Sequence, residues 1–283
     1  MIKAPVQPPL LEIENLRVRF HLRTGIVNAV RGLSFTLGRE RLGIVGESGS
    51  GKSMTGRAVL DLIQPPGEVI ADRMNFMGRD LLILPKKERR ALRGARISMV
   101  MQDPKFSLNP VMKVGDQIAE GYRVHRNVSR REGRERALEM LEAVRIRNPM
   151  RVYDLYPHEV SGGMGQRVMI AMVLIAEPDL LIADEPTSAL DVTVQMQVLA
   201  ILDDLVSERG MGLIFISHDL SLVASFCDRV IVMYAGKAME TLVARDLASA
   251  THPYTRGLLR CMPALDRMDE NLPTLQRDTA WLA

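Results

Sequence analysis

The chain has 283 residues, 47% of them hydrophobic and 25% charged, which excludes a disordered polymer and allows one large domain or a domain with a sizeable insert. Lys and Arg exceed Asp and Glu by 37 − 34 = 3, too small an excess to argue for nucleic acid, while contact with anionic lipid headgroups stays open. Cys227 and Cys261 make neither a disulfide framework nor a zinc ligand set and suit free thiols in a reducing compartment.

Residues 1–10 are Pro-rich and read as a flexible arm. They contain no apolar run of signal-peptide length. The longest apolar stretch, Val168 to Ala176, is far shorter than the ~20 residues that cross a bilayer. The chain is therefore expected to dock on membrane-spanning subunits rather than to span a membrane itself. Alternation of apolar and polar residues predicts a strand from Leu11 to Phe20, with further strands at Ser34–Leu37 and Leu42–Val45.

The stretch Gly46-Glu47-Ser48-Gly49-Ser50-Gly51-Lys52-Ser53 follows, and a helix is predicted from Lys52 to Ile63. The stretch fits G-x-x-x-x-G-K-S in the strand–loop–helix context that a phosphate loop needs. Glycines let successive N–H groups turn toward phosphate oxygens. Lys52 is the candidate for the β/γ-phosphates and the Ser53 hydroxyl for Mg²⁺. An incidental Gly-Ser turn is the bland alternative.

Between about Pro85 and Pro157 charge density rises and strands become hard to find, so a mainly helical insert is expected at about 85–165. Ser129 with Glu132 is a capping-box signature, and Ala137, Leu138, Leu141 and Val144 share one helical face. Gln102 ends the apolar stretch Ile97–Met101 and is a candidate sensor of the γ-phosphate and Mg²⁺. Ser161-Gly162-Gly163 precedes a predicted helix, Gln166 to Ala176. A hydroxyl and two glycines at a helix N-terminus suit an anion. A plain Ser161 N-cap, worth ~1 kcal/mol, does not call for two glycines.

From Leu180 strands and helices alternate: a strand at Leu180–Ala183, a helix at Val192–Glu208, a strand at Gly212–Ile216, a short helix at Leu220–Ala224 and a strand at Val230–Tyr234. This order implies an α/β fold with a mostly parallel sheet covered by helices. Asp184-Glu185 ends an apolar strand, at the edge where ligands sit in open α/β sheets. Asp184 is the candidate Mg²⁺ ligand and Glu185 the candidate polariser of an attacking water. An acidic helix cap before Pro186 is the alternative. His218 follows the next strand, where it suits contact with the γ-phosphate and the water, although a lone His is more often structural.

In combination these residues resemble the nucleotide-binding subunit of an ATP-binding cassette (ABC) transporter over roughly 11–262, leaving 263–283 as a C-terminal tail. The resemblance implies a P-loop NTPase with an antiparallel β edge and a helical insert. Gly46–Ser53 would be the Walker A loop, Gln102 the Q-loop and Ser161–Gln166 the signature. Asp184-Glu185 would close Walker B, Ser188–Asp191 would be the D-loop with Asp191 near the nucleotide, and His218 the switch histidine. Gln102–Pro110, Tyr156-Pro157-His158-Glu159, Met164 and His252-Pro253-Tyr254-Thr255 resemble the oligopeptide/dipeptide/nickel importers.

Three features depart from that group. Gly165 stands where Arg is usual, which costs up to ~1 kcal/mol of helix propensity. Replacement of Gly165 by Arg is expected to change activity little or raise it modestly. The aromatic residue that stacks on adenine is hard to place, with Phe20 the candidate and packing into the sheet the alternative. The tail lacks the cysteines of many relatives, so no metal cluster is expected.

The resemblance implies ATP and Mg²⁺ as ligand and cofactor. It implies a second ATPase subunit, identical or sibling, whose signature meets this chain's ATP. It also implies two membrane-spanning permease subunits, an indirect extracytoplasmic solute-binding protein and a peripheral place on the cytoplasmic face of the inner membrane. The expected activity is transport-coupled ATP hydrolysis, with peptides as leading cargo and nickel or metal chelates second. A non-transport ABC ATPase would more often carry two cassettes or a long coiled coil, and a non-hydrolysing module would not need the full set Lys52, Gln102, Glu185 and His218.

Overall fold

A computed structural model of the chain describes residues 8–101, 107–188, 190–261, 278 and 281. Two compact units emerge, one of Met1–Leu82 with Ile214–Ala283 and one of Ile83–Leu213.

The first unit opens with β1 (Leu11–Leu22) and β2 (Gly25–Leu37), an antiparallel hairpin in which Leu11 opposes Leu37 and Leu22 opposes Gly25. Leu11, Ile13, Leu16 and Val18 of β1 and Val30, Leu33 and Leu37 of β2 are buried, the two-residue periodicity of a half-covered sheet. Three short strands, β4 (Gly67–Ile70), β5 (Arg73–Phe76) and β6 (Arg79–Asp80), complete this antiparallel sheet; β4 and β5 both pair with β1 and β6 with β5. None of the three was expected from the sequence. Two- to four-residue strands are too short to display a period.

The same unit contains β3 (Arg41–Val45), the helix α1 (Lys52–Val59), and, later in the chain, β10 (Arg229–Tyr234) and β11 (Lys237–Val243). β10 runs parallel to β3 and antiparallel to β11, with Arg229 opposite Leu42 and Val232 opposite Val45. β3 and β10 are buried almost throughout, which explains their uninterrupted apolar runs. Helix α1 ends at Val59, short of the expected Ile63, because Leu60 leaves helical geometry and Asp61 takes a left-handed backbone (φ 56°). A short helix, Leu220–Phe226, and the helix Pro253–Arg260 complete the described elements of this unit, with a 3-10 segment at Ala244–Ser249.

The second unit begins with α2 (Lys86–Leu92) and β7 (Ile97–Val100). Helices α3 (Val114–His125), α4 (Arg130–Ala143) and α5 (Pro149–Tyr153) follow, then α6 (Gly162–Leu174), β8 (Leu180–Asp184) and α7 (Val192–Arg209). The expected helical insert is present as α3–α5, and Ser129 Oγ accepts the Glu132 N–H at the start of α4. Ala137, Leu141 and Val144 are buried with Met140, whereas Leu138 is only half-buried. β7 and β8 pair in parallel, Ile97 with Leu180 and Val100 with Ala183. Helix α6 starts at Gly162, four residues before the expected Gln166. Glycines weaken the propensity signal there, and the Ser161 cap overrides it. The remaining strand, β9 (Gly212–Ser217), is buried throughout and straddles the division, its Ile214–Ser217 part lying in the first unit. The short helix is numbered α8 and Pro253–Arg260 α9.

Candidate functional site

The phosphate loop connects β3 to α1, as a strand–loop–helix cradle requires. Gly46 has φ 150° and Gly51 φ 97°. A Cβ on Gly46 would lie 2.1 Å from the Met233 carbonyl oxygen, and one on Gly51 would lie 2.3 Å from that of Ala29. Both positions therefore exclude any side chain, on backbone conformation and on space. At the loop's tip Gly49 has open space around it, so a ligand can approach the backbone closely.

Lys52 is almost fully buried, and its Nζ donates to the carbonyls of Gly46 (2.8 Å) and Glu47 (2.9 Å). The ammonium is thus held across the mouth of the loop. Ser53 follows it, half-buried, in the first turn of α1. The Ser50 hydroxyl is buried without a hydrogen-bond partner among the described residues. A buried donor left so is costly unless a ligand satisfies it. The donor set of backbone amides, one ammonium and serine hydroxyls suits a polyphosphate with its cation.

The loop is also held from outside. The Gly236 N–H, in the β10–β11 turn, donates to Ser50 O (3.1 Å), and the Glu47 N–H donates to the Tyr254 hydroxyl (3.3 Å). In the same unit His218 is exposed just after β9, while Asp219 caps α8 by accepting the Leu222 N–H. Phe20 is partly exposed at the end of β1. Its Cε1 would stand 2.8 Å from a Cβ on Gly67, so one edge of the ring packs on the sheet, which is the alternative kept open for it.

The second unit holds the acidic pair. Asp184 closes β8 and is 4% exposed. Glu185 takes a left-handed backbone (φ 47°), unusual for a residue with a Cβ. Its carbonyl accepts both the N–H and the hydroxyl of Ser188 (each 3.3 Å), which fixes the turn. The buried Gln166 side chain donates to the Pro186 carbonyl, tying α6 to the residue after Glu185.

Ser161 caps α6, its Oγ accepting the Met164 N–H (3.3 Å). The plain cap reading of Ser161 is therefore true of its hydroxyl. The two glycines divide differently. A Cβ on Gly163 would be 2.7 Å from Val194 Cγ1, so Gly163 is required by close helix packing, whereas Gly162 has nothing within 4 Å and leaves the helix start open. Gly165 is buried, its N–H donating to Ser161 O (2.8 Å). Asp191 is the exposed N-cap of α7 and accepts the Val194 N–H. Gln102 lies outside the described residues, as do Asp103 to Phe106 and Ala189.

A model of the family described as ABC transporter matches residues 30–188. The chain is 49% identical over 268 residues to the oligopeptide transport ATP-binding protein OppD of Salmonella typhimurium, covering 94% of this chain and 80% of that protein. It is 48% identical over 269 residues to a putative peptide import ATP-binding protein of Brucella abortus, covering 94% and 81%. The chain belongs to the ABC transporter family.

Solved ABC structures agree with the fold. The ATP-binding cassette MJ0796 in a dimeric post-hydrolysis state bound to ADP and Pi is 27% identical, with a TM-score of 0.72 over 83% of this chain and 99% of that one. CbiO1 from Clostridium perfringens, part of the ABC transporter complex cbiONQ, is 26% identical, with the same score over 90% and 96%. The family match spans the phosphate loop through Ser188. His218 and Tyr254 lie beyond it. Tyr254 had no role in the sequence reading beyond its place in a subfamily motif. No local pattern announces that its hydroxyl reaches the loop, since the partner is 207 residues away. Among the described residues no helix is long and apolar enough to cross a membrane.

Proposed function

We propose that this ABC protein is the ATP-hydrolysing motor subunit of a membrane importer whose cargo is di- or oligopeptides. The observation that carries this is the Gly46–Ser53 cradle, shaped for a polyphosphate, in a chain nearly half identical to proteins named for peptide import. Nickel or metal-chelate import is the second reading, because the motif His252–Thr255 resembles the peptide and the nickel importers alike.

Phosphoryl transfer in such proteins rests on positioning and electrostatics. In this reading the loop amides and Lys52 hold the β- and γ-phosphates of ATP. The Ser53 hydroxyl and the Asp184 carboxylate would be the candidate ligands of Mg²⁺, with Gln102 as a further candidate ligand and sensor. When bound, Mg²⁺ neutralises charge on the phosphate oxygens. Glu185 orients and polarises the attacking water, and His218 steadies the γ-phosphate and that water. Phe20 is the candidate adenine contact. Ser161, Gly162, Gly163 and Asp191 serve the ATP of a second ATPase subunit. Gly162 suits that duty because its surroundings are open. Two subunits then close around two ATP molecules and reopen after hydrolysis. That motion drives two permease subunits from the cytoplasmic face of the inner membrane, with an extracytoplasmic solute-binding protein delivering cargo.

The test is Glu185→Gln in the complex reconstituted with its permeases. The variant is expected to bind ATP and dimerise while phosphate release falls at least a hundredfold. Wild-type turnover in that variant would remove Glu185 from its role. Uptake of labelled dipeptide and tripeptide, measured beside ⁶³Ni uptake, separates the two cargo readings.

A further inference from the structure

The segment His252-Pro253-Tyr254-Thr255 is well organised for the start of a helix that lies about two hundred residues from the phosphate loop in sequence. His252 caps α9, its Nδ1 accepting the Tyr254 N–H (3.1 Å), and Pro253 occupies the first helical position, where its missing N–H costs nothing. Glu240 of β11 fastens the approach. It accepts from the Thr251 N–H (2.8 Å), the Thr251 hydroxyl (3.0 Å) and the His252 N–H (3.2 Å). With this start fixed, the Tyr254 side chain is fully buried. Its ring packs 4.6 Å from that of Tyr234, at the end of β10, and 5.7 Å from that of Trp281. The hydroxyl at its tip accepts the N–H of Glu47.

Glu47 is the second residue of the loop, and Lys52 Nζ donates to the Gly46 carbonyl (2.8 Å), which belongs to the same peptide group as the Glu47 N–H. One peptide group of the cradle is thus gripped on both sides, by Tyr254 from outside and by Lys52 from inside. The other outer anchor is Gly236, which follows Tyr234 by two residues. The aromatic stack therefore braces both anchors. We propose that Tyr254 is a positioning residue for the phosphate loop, and that the 252–255 segment sets the affinity for ATP by holding the Glu47 peptide in the shape the phosphates need.

This rests on reading Gly46–Ser53 as the ATP cradle, so the experiment is arranged to separate the two. Tyr254→Phe keeps the ring and its stacking and removes only the hydroxyl. In the nucleotide-free full-length chain, amide exchange of the peptide containing residues 46–52 is expected to rise about fivefold in this variant. Exchange of β3 and α9 should stay as in wild type. The Kd for a non-hydrolysable ATP analogue with Mg²⁺ should rise about fivefold, the factor equivalent to one hydrogen bond of roughly 1 kcal/mol. The kcat at saturating ATP should change less than twofold. Trp281→Ala, which removes a ring packed on that of Tyr254 and leaves the Tyr254 hydroxyl in place, should alter loop exchange less than Tyr254→Phe does. If Tyr254→Phe leaves both loop exchange and Kd within a factor of two of wild type, or lowers only the melting temperature, the positioning role is wrong. If loop exchange rises but neither protein binds the nucleotide, the positioning role stands and the ATP reading of the loop fails.

Discussion

Gly51 shows how little freedom single positions of the loop have. Its backbone is left-handed, and a methyl group there would sit 2.3 Å from the Ala29 carbonyl, a backbone atom that cannot swing away. Gly51→Ala should cost about 1–3 kcal/mol in stability and weaken ATP binding more than tenfold, read by chemical denaturation and by titration with nucleotide. The two cysteines make a second contrast. Burial pushes the Cys227 thiol up to about 12, with Asp228 adding to the effect, whereas Cys261 is partly exposed. Iodoacetamide at pH 8 should label Cys261 and leave Cys227 unmodified until the chain unfolds, which peptide mapping by mass spectrometry would check.

At the level of elements, the starts of α6 and α7 lie against each other through Gly163 and Val194. Gly163→Ala must push Val194 aside and is expected to lower the melting temperature. Gly162→Ala meets no neighbour, improves helix propensity and should leave the fold as stable or slightly more so, by up to about 1 kcal/mol. If Gly162 faces the nucleotide of a second subunit, the same substitution lowers ATPase activity without harming the fold, and the pair of variants separates packing from function.

Glu240 adds a pH dependence to the β11–α9 junction. Burial alone would raise its carboxyl, but the hydrogen bonds from Thr251 and His252, with the Thr255 hydroxyl nearby, together outweigh it and hold the pKa below the ordinary 4.5. A pKa lowered by folding stabilises the native state above the unfolded value and loses that contribution as pH falls through the folded value. Between pH 6 and 3 the melting temperature of the wild-type protein should therefore drop more steeply than that of Glu240→Gln.

On the scale of the whole molecule, binding of ATP should act as a thermodynamic clamp on the folded state. At a hundred times its Kd, MgATP adds about 2.7 kcal/mol, or about 5 °C in melting temperature for a chain of this length. Scanning calorimetry should show this shift in wild type and lose it in Lys52→Ala. The α/β architecture and the phosphate motifs were legible because each is local. The loop occupies eight consecutive residues, Asp184 ends a run buried on both faces, and Ser161 announces its own helix. Short β4–β6 were not legible, because so few residues carry no period. The outer part of β2, from Gly25 to Asn28, was hidden because these residues are all exposed. The packing need for Gly163 was not legible, because its neighbour Val194 lies thirty-one positions away and leaves no mark near it.

The bond between Glu47 and Tyr254 also has a consequence in time. During synthesis the loop emerges about two hundred residues before the tyrosine that grips it. A nascent chain already carrying Gly46–Ser53, Asp184-Glu185 and His218 would still lack the outer wall of its cradle. Tight nucleotide binding would then wait until α9 has left the ribosome and closed that contact across 207 residues.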